Sequence, residues 1–373
     1  MSERRRDLPQ TRKTPPFRAE HIGSLLRPAA LLEVRRRHAR GEIDDVALSA
    51  AEDRAIEEAV RLQERVGLRL ATDGEFRRAS YHGYFYGQLG DISFAAPQGA
   101  AGTRGAQPTA SIKSRIAWKK PIHAADFAFL AARTSALPKI TIPGPCALHF
   151  RSGDAAVTAQ AYRDVDEFWD DIVTAFRSEL RALSAAGCRY VQIDETAFAK
   201  FGDPDVQASL RARGDDPQAL IDRYIDVTNR VLNGLPDISI GMHLCRGNRA
   251  GQWHAEGSYE AVAEKLFNRL AIAFLLLEYD SPRAGDFAPL HFVPHDKSIV
   301  LGLVSTKTNF LEDKSALKRR IDEASRYVPL ERLAVSPQCG FASTEAGNPL
   351  PPEMQEAKLR LVVDLARDVW GTA

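Results

Sequence analysis

The chain has 373 residues, 44% of them hydrophobic, and its 50 Lys and Arg nearly cancel its 49 Asp and Glu. That apolar content supports a full core and excludes global disorder, while the near-neutral charge excludes an electrostatic nucleic-acid binder. No apolar run approaches the ~18 residues of a membrane span, and four cysteines are too few for a disulfide framework, which points to a cytoplasmic setting where cysteines serve metal or chemistry.

Residues 1–16 are charged, lack the apolar stretch of a secretory signal and read as a flexible N-terminal arm. Beyond them, β-rich segments at 18–24, 68–74, 139–144, 190–194, 238–244, 273–279, 299–305 and 333–337 alternate with amphipathic stretches. The helical patterns cover 31–40, 45–66, 166–186, 217–232, 259–270, 314–326 and 352–369. Such alternation means βα units around a parallel sheet, and eight strands predict a single (β/α)8 TIM barrel over 17–373. Gly67 and Gly187 fall where helices should stop. Residues 81–137 break the rhythm, with Tyr84-Phe85-Tyr86 and a Gly/Ala loop from Pro97 to Gly105. They read as an insertion after strand two, a hairpin plus a short helix, serving as a lid, an oligomer contact or a plain surface excursion. A homo-oligomer is therefore admitted. No internal repeat or second domain boundary stands out.

In a barrel the active site lies where strands end and βα loops begin. The reactive residue types gather there: His21-Ile22-Gly23-Ser24, Asp73-Gly74-Glu75, Asp194-Glu195, His243-Leu244-Cys245, Glu278-Tyr279-Asp280, Ser305-Thr306-Lys307 and Cys339-Gly340. His243 and Cys245, two apart on an extended strand, project the same way. A lone His-x-Cys pair is a cheap motif. With Cys339 and Glu278 from the same half of the barrel, a shared metal becomes the stronger reading, and one imidazole, two thiolates and a carboxylate suit zinc. Two thiolates favour holding a substrate thiol as thiolate over making hydroxide. Transfer of an alkyl group to sulfur follows, with Glu278 as the ligand that yields.

Asp194 and His21 are the candidate catalytic groups; for His21 a structural hydrogen bond is the equal alternative. Cys188 and Cys146 read as packing cysteines, and His254 as a neighbour of the metal loop.

The motifs His21-Ile-Gly-Ser24, Thr72-Asp-Gly-Glu75, Val191-Gln-Ile-Asp-Glu195, His243-Leu-Cys245 with Arg246-Gly-Asn248, Leu277-Glu-Tyr279 and Ser336-Pro-Gln-Cys-Gly340 occur in this order. Together the chain resembles the catalytic C-terminal barrel of cobalamin-independent methionine synthase, and more closely its short single-barrel relatives, from Phe17 to Trp370. The resemblance implies zinc on His243, Cys245, Glu278 and Cys339. It also implies a homocysteine site in which Ile22, Gly23 and Ser24 hold the carboxylate and Glu75 and Asp194 the ammonium.

Two departures bear on the donor. The second, N-terminal barrel that helps bind polyglutamylated folate is not expected here, and Lys307 stands where the family has a His that protonates the departing folate. The leading expectation is a zinc-dependent S-methyltransferase making methionine from homocysteine. The rivals are a thiol alkyltransferase of the epoxyalkane:coenzyme M type and a non-catalytic zinc or thiol-binding barrel. Expected partners are a small-molecule thiol and a methyl or alkyl donor, with neither nucleic acid nor membrane.

Overall fold

Short apolar runs ending in a polar residue form the central sheet of a computed structural model that describes residues 12, 14–95, 109–235 and 237–373. Its strands are β1 Leu70–Ala71, β2 Ile92–Ala95, β3 Thr109–Ile112, β4 Leu137–Pro138, β5 Ile140–Pro143, β6 Tyr190–Glu195, β7 Ser239–Leu244, β8 Phe274–Glu278, β9 Ser298–Ser305 and β10 Leu333–Gln338. The strands β5 to β10 pair in parallel in chain order. At one edge β4, a residue short of β5, pairs in parallel with β1. At the other edge Ala19 bridges Val335 of β10.

Every residue of β5, β6, β8 and β10 is buried, as expected of parallel strands covered on both faces. Alternate residues divide between two apolar clusters. Leu275 and Leu277 join the large cluster under the helices, while Phe274, Leu276, Val300, Ala334 and Tyr190 share the opposite face. Because side chains alternate with period two, Gln192 and Asp194, Gly241 and His243, and Leu276 and Glu278 also share this second face.

The helices start on side-chain caps. Asp44, Asp164, Asp203, Asp216 and Asp313 each accept a backbone N–H in the first turn of the helices Asp45–Val66, Val165–Ala185, Pro204–Ala212, Pro217–Leu232 and Lys314–Ala324, worth about 1 kcal/mol apiece. Gly67 ends the first of these in the left-handed region, φ 93°.

The structure departs from the sequence reading in several places, and the strand expected over 68–74 is reduced to β1, Leu70–Ala71. The strand expected over 18–24 is reduced to the Ala19 bridge, where the Glu20 N–H and the Arg18 carbonyl pair with Val335. Helices Ala147–Thr158 and Pro204–Ala212 were not expected. The first hides its periodicity behind Gly153, which has φ 73° inside it. Between β1 and β4 lie the helix Gly83–Tyr86, the antiparallel pair β2–β3 and the helix Ala124–Ala131. The loop from Pro97 to Gly105 and most of residues 1–16 lie outside the described residues. Arg12, at the edge of that segment, donates to the carbonyls of Pro16 and Glu331. No helix among the described residues is long and apolar enough to cross a membrane.

Candidate active site

The C-terminal ends of the strands surround a cavity of about 250 Å³. His243, Cys245 and Cys339 enter it from the ends of β7 and β10. One ligand atom from each lies within 4.8 Å of the others, and all three residues are buried. His243 Nδ1 has no hydrogen-bond partner. The Cys245 thiol is drawn below its ordinary value by a hydrogen bond with Cys339, against burial. The Cys339 thiol is pushed up by that same contact and by burial. Burial opposes charge on His243, but Cys339, Asp194 and Glu278 outweigh it and raise the imidazole.

Glu278 is fully buried next to this trio but outside it. Its Oε2 accepts the Arg246 N–H at 2.6 Å, and its Oε1 pairs with Arg283. The Gln338 amide lies 3.3 Å from both Glu278 Oε2 and Cys339 Sγ, linking the carboxylate to the trio. Burial would raise the Glu278 carboxyl, but Lys307, Arg283 and Arg246 overcome it and bring the group down to about 2. Lys307 does not line the cavity; its Nζ lies 3.0 Å from Asp280 and 3.9 Å from Glu278.

Glu75 and Asp194 form an acidic wall. Glu75 has φ 61° and Cys339 φ 58°, a left-handed conformation that costs a non-glycine residue about 1–3 kcal/mol and clusters at functional sites. The Asp73 side chain holds Glu75 in it by accepting its N–H at 2.9 Å. Thr141 Oγ1 then donates to Glu75 Oε1 at 2.9 Å. Asp194 Oδ1 accepts from Gln192 Nε2 at 2.6 Å, and that amide also donates to the Ile22 carbonyl at 2.6 Å. Burial pushes the Asp194 carboxyl up to about 7, with Glu75 reinforcing and His243 opposing.

Ile22 and Ser24 line the cavity, and Gly23 lies behind them. A Cβ on Gly23 would come within 2.6 Å of Thr141 and 2.9 Å of Glu75 Oε1, and its φ of +145° already disfavours a side chain.

His21 is not among the cavity residues. It is 1% exposed, burial pushes its imidazole well below the usual range, and its Nε2 has no hydrogen-bond partner. Cys146 and Cys188 are buried free thiols outside the cavity, whereas His254 is one of its walls. Sequence reasoning missed Tyr81, His82, Arg151, Thr196 and Lys200, all of which line it. Only Thr196 and Lys200 carried a signal, lying within five residues of the end of β6. Burial and the charge of Arg151 push Lys200 down to about 7.

The comparisons with known proteins bear on the family. The family described as cobalamin-independent synthase, catalytic domain, matches residues 17–368. The uncharacterized protein YxjH of Bacillus subtilis is 40% identical over 362 residues, covering 95% of each chain. Methionine synthase of Pyrococcus horikoshii is 24% identical over 321 residues, covering 86% of this chain and 85% of that one. A Listeria monocytogenes structure, provisionally assigned as a vitamin-B12-independent methionine synthase, superposes with a TM-score of 0.73 at 34% identity, covering 95% of this chain and 98% of that one. The B12-independent methionine synthase of Shewanella sp. W3-18-1, solved with selenomethionine, shares the fold at 19% identity and a TM-score of 0.72, with coverage of 94% and 97%. Matched by the family model over nearly its whole length, the chain belongs to the cobalamin-independent methionine synthase catalytic-domain family of methyltransferases.

Proposed function

We propose that this chain is a zinc-dependent S-methyltransferase whose acceptor is homocysteine, built as a closed (β/α)8 barrel with residues 81–137 inserted after its second strand. The observation that carries the reading is the buried His243, Cys245 and Cys339 trio opening into the same cavity as Ser24, Glu75 and Asp194. For closure, the support is the Leu25 N–H on the Gly74 carbonyl and the Thr72 hydroxyl on the Gly23 carbonyl, which join the two sheet edges.

The donor set fits zinc: one nitrogen and two sulfurs within reach of one another, with a buried imidazole nitrogen that has no protein partner. Glu278 is the candidate fourth ligand, linked to Cys339 through Gln338. A zinc ion bound there supplies the charge that keeps an acceptor thiol deprotonated near neutral pH.

The other residues position the acceptor. Glu75 and Asp194 face an ammonium group, and the 22–24 segment offers backbone and hydroxyl groups to a carboxylate. Gln192 ties the two parts together by holding both Asp194 and the Ile22 carbonyl, so the ammonium and carboxylate contacts keep a fixed spacing.

A second reading, alkyl transfer to a thiol bearing a sulfonate, is favoured by one observation: Arg151 and Lys200 line the same cavity. A thiol-consumption assay separates the two. Homocysteine and coenzyme M are offered in parallel with methyltetrahydrofolate, methylcobalamin, S-methylmethionine and epoxypropane. Methionine formation supports the first reading, and consumption of coenzyme M alone replaces it with the second.

A further inference from the structure

The cavity lining carries two groups of opposite charge: Glu75 and Asp194, and Arg151, Lys200 and Arg249, the latter together with Tyr81, His82 and His254. Nothing in the handling of an amino-acid thiol accounts for the second group.

Arg151 comes from the helix Ala147–Thr158 that follows β5, and its Nη2 donates to the Tyr81 hydroxyl at 3.2 Å. His82 is 9% exposed and packs edge-on against Tyr81 and Phe94, with ring centroids 4.7 and 4.5 Å away. Its Nδ1 is buried and has no hydrogen-bond partner. His254 lies against the loop that follows Cys245: a Cβ on Gly247 would sit 2.6 Å from its Nδ1. The cationic wall therefore begins beside the metal trio. Burial, followed by the charges of Arg151 and Lys200, pushes both imidazoles down to about 3, so both are neutral at physiological pH. A neutral imidazole carries one N–H donor.

Lys200 has contacts of its own within the protein and, pushed down to about 7, is only partly charged near neutral pH, so Arg151 carries the positive charge here. Glu195 feels both cations, but it is fully buried and accepts the N–H groups of Cys146 at 3.2 Å and Ala197 at 2.9 Å. A half-buried guanidinium flanked by neutral N–H donors is a setting for an oxyanion, because it offers charge-assisted hydrogen bonds. A sulfonium donor would meet repulsion on this wall.

Building on the thiol-methyltransferase reading above, we propose that Arg151, with His82 and His254, seats an anionic group of the methyl or alkyl donor, a carboxylate, phosphate or sulfonate. The acceptor's ammonium and the donor's anion then contact separate groups of residues lining one cavity.

Calorimetry on the full-length, zinc-loaded protein saturated with homocysteine, titrated with inorganic phosphate and separately with methanesulfonate, tests this. Both anions are expected to bind alongside homocysteine. Arg151→Met should weaken them by roughly tenfold or more, Arg151→Lys by less, and His82→Phe, which keeps the ring packing, by an intermediate amount. Homocysteine affinity should stay unchanged in Arg151→Met, and thermal melting checks that each variant is folded. Anion affinity unaltered in both Arg151→Met and His82→Phe overturns the proposal. So does competition between phosphate and homocysteine, which would assign the wall to the acceptor's own anion. Arg151-dependent phosphate binding in a protein that binds no homocysteine overturns the thiol-methyltransferase reading instead, while the anion wall stands.

Discussion

Asp194 and His243 are register partners on the neighbouring parallel strands β6 and β7. One hydrogen-bonded ladder therefore fixes the distance between the acidic wall and the metal trio. The proposed ammonium contact and the proposed thiol contact are set by backbone pairing rather than by mobile loops.

If Asp194 and Glu75 bind the acceptor's ammonium, Asp194→Asn and Glu75→Gln should each weaken homocysteine binding by about 1.5–3 kcal/mol, the worth of a hydrogen bond to a charged group. Zinc content should be unchanged. Calorimetry with metal analysis on the same samples checks both parts. Unchanged affinity in both variants argues for a thiol without an amino group.

Purified protein should carry about one zinc per chain, and Cys245→Ser or Cys339→Ser should release most of it. Glu278→Gln is a different experiment, because Glu278 also neutralises Arg283. Removing one partner of a buried ion pair costs about 3–5 kcal/mol, so a marked fall in melting temperature should accompany any loss of zinc. Elemental analysis and melting curves of the three variants separate ligand loss from structural loss. Zinc that persists in the Cys245→Ser, Cys339→Ser double variant would sink the ligand assignment.

Gly340 lets the loop after β10 close over the 22–24 segment. A Cβ there would sit 1.8 Å from Ser24 Oγ, while Phe341 N–H reaches the Ser24 carbonyl at 2.9 Å. Gly340→Ala should cost about 1–3 kcal/mol of stability through overpacking and weaken homocysteine by displacing Ser24. Ser24→Ala should weaken homocysteine alone. Equal stability of Gly340→Ala and the parent protein in urea melts would contradict this close approach.

The carboxyl of Asp194, pushed up to about 7 chiefly by burial, gives a pH signature. Below pH 7 it is protonated and cannot pair with an ammonium; above it, it can. In the zinc-free protein, methionine should therefore bind more tightly as pH rises from 6 to 8, and Asp194→Asn should flatten the profile. The stability sign is opposite. The folded state holds this proton more tightly than the unfolded chain, so the group's contribution to stability falls as pH rises from about 4 to 7. A methionine affinity independent of pH in the parent protein would remove Asp194 from the ammonium site.

The sequence by itself determined the order of the strands and the chemistry at their ends. The alternation of side chains along a strand sets which of them share a face, so Asp194, His243 and Glu278 were legible as polar residues at the tips of β6, β7 and β8, and Cys245 and Cys339 followed one residue past β7 and β10. Which charge meets which was decided by tertiary structure alone. Glu278 and Arg283 are only five residues apart, but Lys307 reaches Glu278 from another strand end. Arg151 enters the cavity from a helix whose sequence reads no differently from one with a solvated arginine. His21 sits on a segment that looked like a strand, yet it lies outside the cavity that Ile22 and Ser24 line. Local pattern fixes the direction of a side chain relative to its own backbone. Its electrostatic partners depend on how distant segments approach, and that is settled only when the sheet edges and the loops above them come together.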